Sequence, residues 1–163
     1  GSFYHYFDGK DALLSSLSYL FDDKYEELLE TLDTDRNAFD ILMYLNRELF
    51  GMIERTVSVE LLAQMYAAQL TTKGEKHLLD RDRLYYRLLR QIARQGQDRS
   101  ELRQDIPTGE IVKTYALCER ALLYDWCICG GEYSLREYSA KMMPIFLTHL
   151  RASAVDKKLS DSI

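Results

Sequence analysis

Proline is nearly absent from this chain, with two in 163 residues, and glycine is sparse, with eight. So few breakers exclude a turn-rich architecture of many short strands and predict long helices. No apolar run approaches the roughly 18 residues needed to span a bilayer, so no membrane partner is expected. The first residues lack a basic start followed by an apolar stretch, so no secretory leader is expected either. Cysteine occurs only at Cys118, Cys127 and Cys129. An odd count in a chain of this size does not read as a disulfide framework and points to a reducing, cytoplasmic location. Positive charge is also short: 21 Lys and Arg against 26 Asp and Glu, a formal net charge of −5. Proteins that hold nucleic acid over a broad surface are normally basic. Any such contact must therefore come from a small local patch or from residues outside this chain.

What is present is the composition of a globular protein, 47% hydrophobic and 29% charged, at a length that suits one domain. Over residues 10–32, apolar residues recur at steps of three and four, from Leu13 and Leu14 through Leu17, Phe21, Tyr25 and Leu28 to Leu32. That spacing predicts a helix with one apolar stripe, about 30 Å long, with Asp8 as its cap. Residues 38–53 are apolar on most faces, which predicts a centrally buried helix. Ser58 is placed to cap a third helix. Gly74 is read as a break before a helix with a basic outer face that stops at Gly96. Pro107 and Thr108 mark the start of a fifth helix, which ends at Gly130-Gly131.

The fifth helix shows two apolar groups: Val112, Tyr115, Leu122 and Trp126 on one side, Ala116, Leu123 and Cys127 on another. Two such sides predict that one faces the core and the other a partner. "YSLREY" then carries a capping box, Ser134 with Glu137, and a hydrophobic staple, Tyr133 with Tyr138. Pro144 lies within the sixth helix and predicts a kink. No stretch alternates with period two for long enough to make a strand. The expected fold is all-α, a helical bundle of about six long helices.

Chemistry is harder to find. None of His5, His77 and His149 has a glutamate three residues earlier, so the Glu-x-x-His pairs of carboxylate-bridged metal enzymes are absent. Cys127 and Cys129 stand about 200° apart around a helix and have no second ligand pair at zinc spacing. No metal or cofactor is expected. No glycine loop cradles a phosphate and no nucleophile announces itself, so an enzyme is not supported. Twelve tyrosines are many for this length. Most suit the edge of a core, while those in "MYAAQ" (residues 65–69) and the pair Tyr85-Tyr86 suit a pocket wall.

The opening, "GSFYHYFDGKDALL", crowds four aromatic rings around His5. It resembles the end of the helix-turn-helix in the TetR family of bacterial transcriptional regulators. The matching residues are Gly1, Ser2, Phe3, Tyr4, Tyr6, Phe7, Lys10, Asp11, Leu13 and Leu14. The resemblance implies that residues 1–9 are the remnant of a DNA-binding domain whose earlier helices would precede Gly1. Residues 10–153 would form a ligand-binding and dimerisation domain and 154–163 a frayed tail. It further implies that Ser2, Tyr4, His5 and Tyr6 meet operator DNA and that Lys10 holds a phosphate. A homodimer would form through the last two helices, with Leu123, Trp126 and Cys127 on one and Met142, Met143, Ile145, Phe146 and His149 on or beside the other. A small, largely apolar effector would bind among Met65, Tyr66 and Gln69, Tyr86 and Leu89, and Tyr115, Cys118 and Leu122. The expectation is a repressor whose DNA binding is switched by that effector. A helical enzyme acting on a small molecule, or a ligand-free interaction module, are the alternatives.

Overall fold

The computed structural model describes residues 2–73 and 77–153; for residues 2–16 and His77 it gives the backbone alone. Gly1, the break expected at Gly74 and the tail 154–163 lie outside the described residues. Six α-helices and no strand are found among them: α1 (Ser2–Thr31), α2 (Ala38–Thr56), α3 (Val59–Thr71), α4 (Leu84–Asp98), α5 (Thr108–Ile128) and α6 (Leu135–Leu147). Short 3-10 turns at His77–Leu79 and Thr148–Leu150 complete the order. The fold is an all-α bundle.

The centre is α2, and the reason is its composition. Ile41 and Leu45 share one side of the helix, Phe50 lies opposite and Ile53 between them, and all four are fully buried, because α2 packs against α6, α4 and α1 together. Asn37 caps its start through Phe39 N–H at 3.0 Å, and Ser58 caps α3 through Leu61 N–H at 3.1 Å. Ser134 caps α6 by accepting from Glu137 N–H at 3.3 Å. The staple is present too, with the Tyr133 and Tyr138 rings 4.8 Å apart. The box is completed from another helix. Glu54 of α2 accepts from the backbone N–H groups of Leu135 and Arg136, both at 3.1 Å. A carboxylate at the positive end of α6 ties the two helices together.

Three boundaries differ from the sequence reading. α1 is continuous from Ser2, so Asp8 and Gly9 lie within it, and no backbone break separates residues 2–9 from the rest. Helix propagation past one glycine costs only about 1 kcal/mol, and Lys10, Ala12, Leu13 and Leu14 are good helix formers. α4 starts late, at Leu84, because Asp80 turns the chain by accepting from Asp82 N–H at 2.9 Å. It also runs through Gly96 to Asp98. Gly96 is a contact point and not a stop: a Cβ there would stand 2.6 Å from the Cβ of Ala38 and 2.7 Å from Leu102. The stop at the end of α5 is where it was expected. Gly130 and Gly131 have φ of +64° and +72°, and Gly131 N–H returns to the Trp126 carbonyl at 2.9 Å.

The last described residues close the bundle. Arg103 N–H donates to the Leu150 carbonyl at 2.9 Å and Ala152 N–H to the Glu101 carbonyl at 3.1 Å. The Glu101 carboxylate also accepts from Ala38 N–H at the start of α2. One loop therefore holds both the beginning of α2 and the chain beyond α6.

Candidate ligand site

A buried polar network crosses the middle of the bundle. Glu119 of α5 is 3% exposed, and both its oxygens are engaged. Tyr85 of α4 donates its hydroxyl to Oε1. Asn46 of α2 donates from Nδ2 to Oε2 at 2.8 Å. Ser139 of α6 in turn donates to Oδ1 of Asn46. Burial pushes the Glu119 carboxyl up to about 7, while the hydrogen bonds from Tyr85 and Asn46 oppose that shift. Burial, reinforced by the Glu119 charge, raises Tyr25, Tyr85 and Tyr115 well above the ordinary tyrosine range, so these hydroxyls stay protonated. Tyr115 donates to the Leu42 carbonyl at 3.1 Å.

Beside this network lies a small space of about 50 Å³. Its walls come from five helices and include Phe21 of α1, Phe50 of α2, Tyr66 of α3, Tyr85 and Tyr86 of α4, and Glu119 and Arg120 of α5. The rings stack edge to face: Tyr25 on Tyr85 at 5.3 Å and Tyr85 on Tyr86 at 4.8 Å. Arg83 closes one side, 3.5 Å from Asp22 of α1. Burial raises the Asp22 carboxyl, and the Arg83 guanidinium offsets part of that rise.

Outward from this space are two larger cavities. One, of about 310 Å³, is lined by Tyr66, Gln69, Leu70, Leu78, Leu79 and Arg120. The other, of about 420 Å³, lies between α4 and α5 and contains Arg81, Arg90, Lys113 and Arg120 with a single acid, Glu110. The 3-10 turn at His77–Leu79 forms their shared rim. It is held by two bonds to Leu78: its N–H donates to Oε1 of Gln69 at 3.3 Å, and its carbonyl accepts from the Tyr86 hydroxyl at 2.9 Å. The Tyr86 oxygen also accepts from Nη1 of Arg120 at 3.2 Å.

Comparison with known protein families, curated proteins and solved structures finds no match to the chain. The geometry is therefore what bears on function.

Of the residues expected around an effector, Tyr66, Gln69 and Tyr86 line these cavities. Met65, Leu89, Tyr115 and Leu122 instead fill the core, each at most 5% exposed. Their helical positions look inward, and none of them lines the cavities described above. Cys118 is half-buried, and burial raises its thiol. The expectation missed Glu119 and Arg120. The signal was available: Glu119 sits four residues after Tyr115 and three before Leu122, in the middle of the apolar side of α5. A carboxyl in such a stripe must be buried with partners.

The expected dimer residues divide in the same way. Leu123, Trp126 and Met143 are buried inside the chain itself, at 6%, 4% and 1% exposure, and Nε1 of Trp126 donates to the Tyr133 carbonyl at 3.0 Å. Cys127 and Met142 are half-buried. Ile145, Phe146 and His149 are exposed. Both apolar groups of α5 thus serve the core, because α3, α4 and α6 all pack against this helix. Its outward apolar residues are Leu117, Tyr124 and Ile128, spaced along a third face. The side chains of Ser2, Tyr4, His5, Tyr6 and Lys10 lie outside the described residues. Among the described residues no group of three or more His, Cys, Asp or Glu could hold a metal ion, and no helix is long and apolar enough to cross a membrane.

Proposed function

We propose that this chain is the effector-sensing and dimerising part of a TetR-like transcriptional regulator, a repressor released from operator DNA by a small molecule. One observation carries the reading. The helix that begins with "SFYHYF" is the same helix that places Phe21 in the wall of the central cavity and Asp22 beside Arg83. A ligand that displaces Phe21 or reorients Arg83 acts directly on the element that would present the DNA reader. Two recognition helices in a dimer must sit about 34 Å apart to enter successive major grooves. A tilt of α1 changes that separation, by as much as the ligand's differential affinity for the two positions allows.

The dimer in this proposal uses the exposed apolar residues of α5 and α6: Leu117, Tyr124 and Ile128 with Ile145 and Phe146. Five large apolar side chains standing out on two adjacent helices suit a self-complementary contact.

The enzyme alternative would rest on Glu119, the only carboxyl among the described residues raised to near neutrality. Both its oxygens already accept hydrogen bonds from Tyr85 and Asn46, which favours an electrostatic role over proton transfer.

The test uses a version that includes whatever its gene encodes upstream of Gly1. Salt-dependent binding to its own promoter DNA is expected, weakened by a ligand that fills the cavities. Binding that is absent at low salt sinks the reading.

A further inference from the structure

Arg120 stands where the central space, the apolar cavity and the cationic cleft meet, and it lines all three. Among the described residues its hydrogen-bond partner is the neutral Tyr86 hydroxyl, and no carboxylate lies within ion-pair distance of it. Its neighbour Glu119 turns into the core, where Tyr85 and Asn46 occupy it. The same holds for Arg81, Arg90 and Lys113 in the cleft: none is ion-paired among the described residues, and Glu110 is the only acid on that wall. Four cations against one acid is a strong local excess in a chain whose net charge is −5. Such a concentration of like charge in a concave site attracts and orients anions. The adjoining cavity is the chemical opposite. Leu70 and Leu79 edge it at 81% and 53% exposure, large apolar side chains left in water at its mouth.

From this junction we infer that the ligand is a single-chain anionic amphiphile. Its carboxylate or phosphate head sits against Arg120, with Arg90 and Lys113 nearby, and its aliphatic tail runs along Leu70, Leu78 and Leu79. Arginine suits the head because its planar guanidinium matches two oxygens at once. A volume near 310 Å³ lies at the lower end of the range for small-molecule sites, about 300–1,000 Å³. The inference deepens the effector reading above and rests on it for its biological sense.

The test is calorimetry on the chain with decanoate, decyl phosphate, decylamine and decanol, each below its micellar concentration or, for decanol, its solubility limit. Decanoate or decyl phosphate is expected to bind at least tenfold tighter than decylamine and decanol, and the better of the two identifies the head group. Arg120→Gln should lower that affinity at least tenfold, with Arg120→Lys restoring part of it. Lys113→Glu, an exposed substitution that leaves the core untouched, should lower it several-fold and carries the test if Arg120→Gln does not fold. Decylamine or decanol binding as tightly as the anions overturns the inference, as does anion binding indifferent to both substitutions, or no binding by either anion. Arg120-dependent anion binding that leaves promoter binding of the extended version unchanged supports this ligand class and sinks the switching of DNA binding by it instead.

Discussion

Nδ2 of Asn46 lies 2.8 Å from Oε2 of Glu119, joining α2 to α5 across 73 residues of sequence. Both side chains are buried, and Ser139 and Tyr85 extend the chain of bonds to α6 and α4. Three helices therefore meet at the Glu119 carboxyl and a fourth joins through Asn46, and that carboxyl borders the cavity. A buried polar network of this kind is stabilising only while every member is paired.

The first prediction concerns pH. The Glu119 carboxyl is raised from 4.5 to about 7 in the folded chain. The stability it contributes is therefore full below about pH 4.5 and is lost as pH rises through about 7. A tenfold change in proton affinity corresponds to about 1.4 kcal/mol, so the loss is on the order of 2–4 kcal/mol. Glu119→Gln keeps an acceptor for Asn46, and its amide can donate to the Tyr85 oxygen. Urea unfolding of the two proteins at pH 5 and pH 8 should show the variant losing much less stability between those values. Equal losses would remove Glu119 as the titrating group.

Gly96→Ala tests packing against propensity. Alanine is the better helix former by about 1 kcal/mol. Here its methyl would overlap Ala38 and Leu102, at 2.6 and 2.7 Å, and overpacking of that kind costs about 1–3 kcal/mol. A net fall in melting temperature is expected. Gly109→Ala is the control: nothing stands within 4 Å of its added Cβ, and it should be neutral or stabilising.

Glu54 is the cap of α6 supplied from α2. Glu54→Ala leaves two helix N-terminal N–H groups without their acceptor and should cost about 1–2 kcal/mol in chemical denaturation. If α6 does not depend on that carboxylate, Glu54→Ala will unfold at the same urea concentration as the unaltered chain.

Fold and assembly separate on α5 and α6. Trp126→Ala removes a ring that is 4% exposed and should cost about 3–5 kcal/mol of protomer stability whatever the oligomeric state. Phe146→Asp alters a residue that is 43% exposed. It should leave the melting curve of the protomer nearly unchanged and shift sedimentation from dimer to monomer. A chain that is monomeric at micromolar concentration before any substitution would overturn the proposed dimer.

Much of the local structure is legible from residue order alone. The caps at Ser58 and Ser134, the Tyr133–Tyr138 staple and the Gly130-Gly131 stop all arise from groups a few residues apart, where geometry follows from chain connectivity. The late start of α4 is not, because the Asp80 side chain competes with the helix, and propensity does not record which side chain will turn back on the backbone. The cavity residues are half legible. Tyr66, Gln69 and Tyr86 stand in segments rich in amphipathic side chains, while Arg120 gives no local sign that three openings converge on it.

The sequence by itself determined an all-helical chain, the positions of most helix ends and the burial of α2. Those depend on periodicity, capping chemistry and the near absence of proline. Which face of α5 would remain in water was decided only by the tertiary structure. Both of its expected apolar sides are covered by α3, α4 and α6 together, leaving Leu117, Tyr124 and Ile128 outside. The pairing of Glu119 with Asn46, and the placing of Arg120 beyond ion-pair distance of the described carboxylates, belong to the same level. They depend on how helices distant in sequence are set against one another, and a helix carries no record of the neighbour that will cover it.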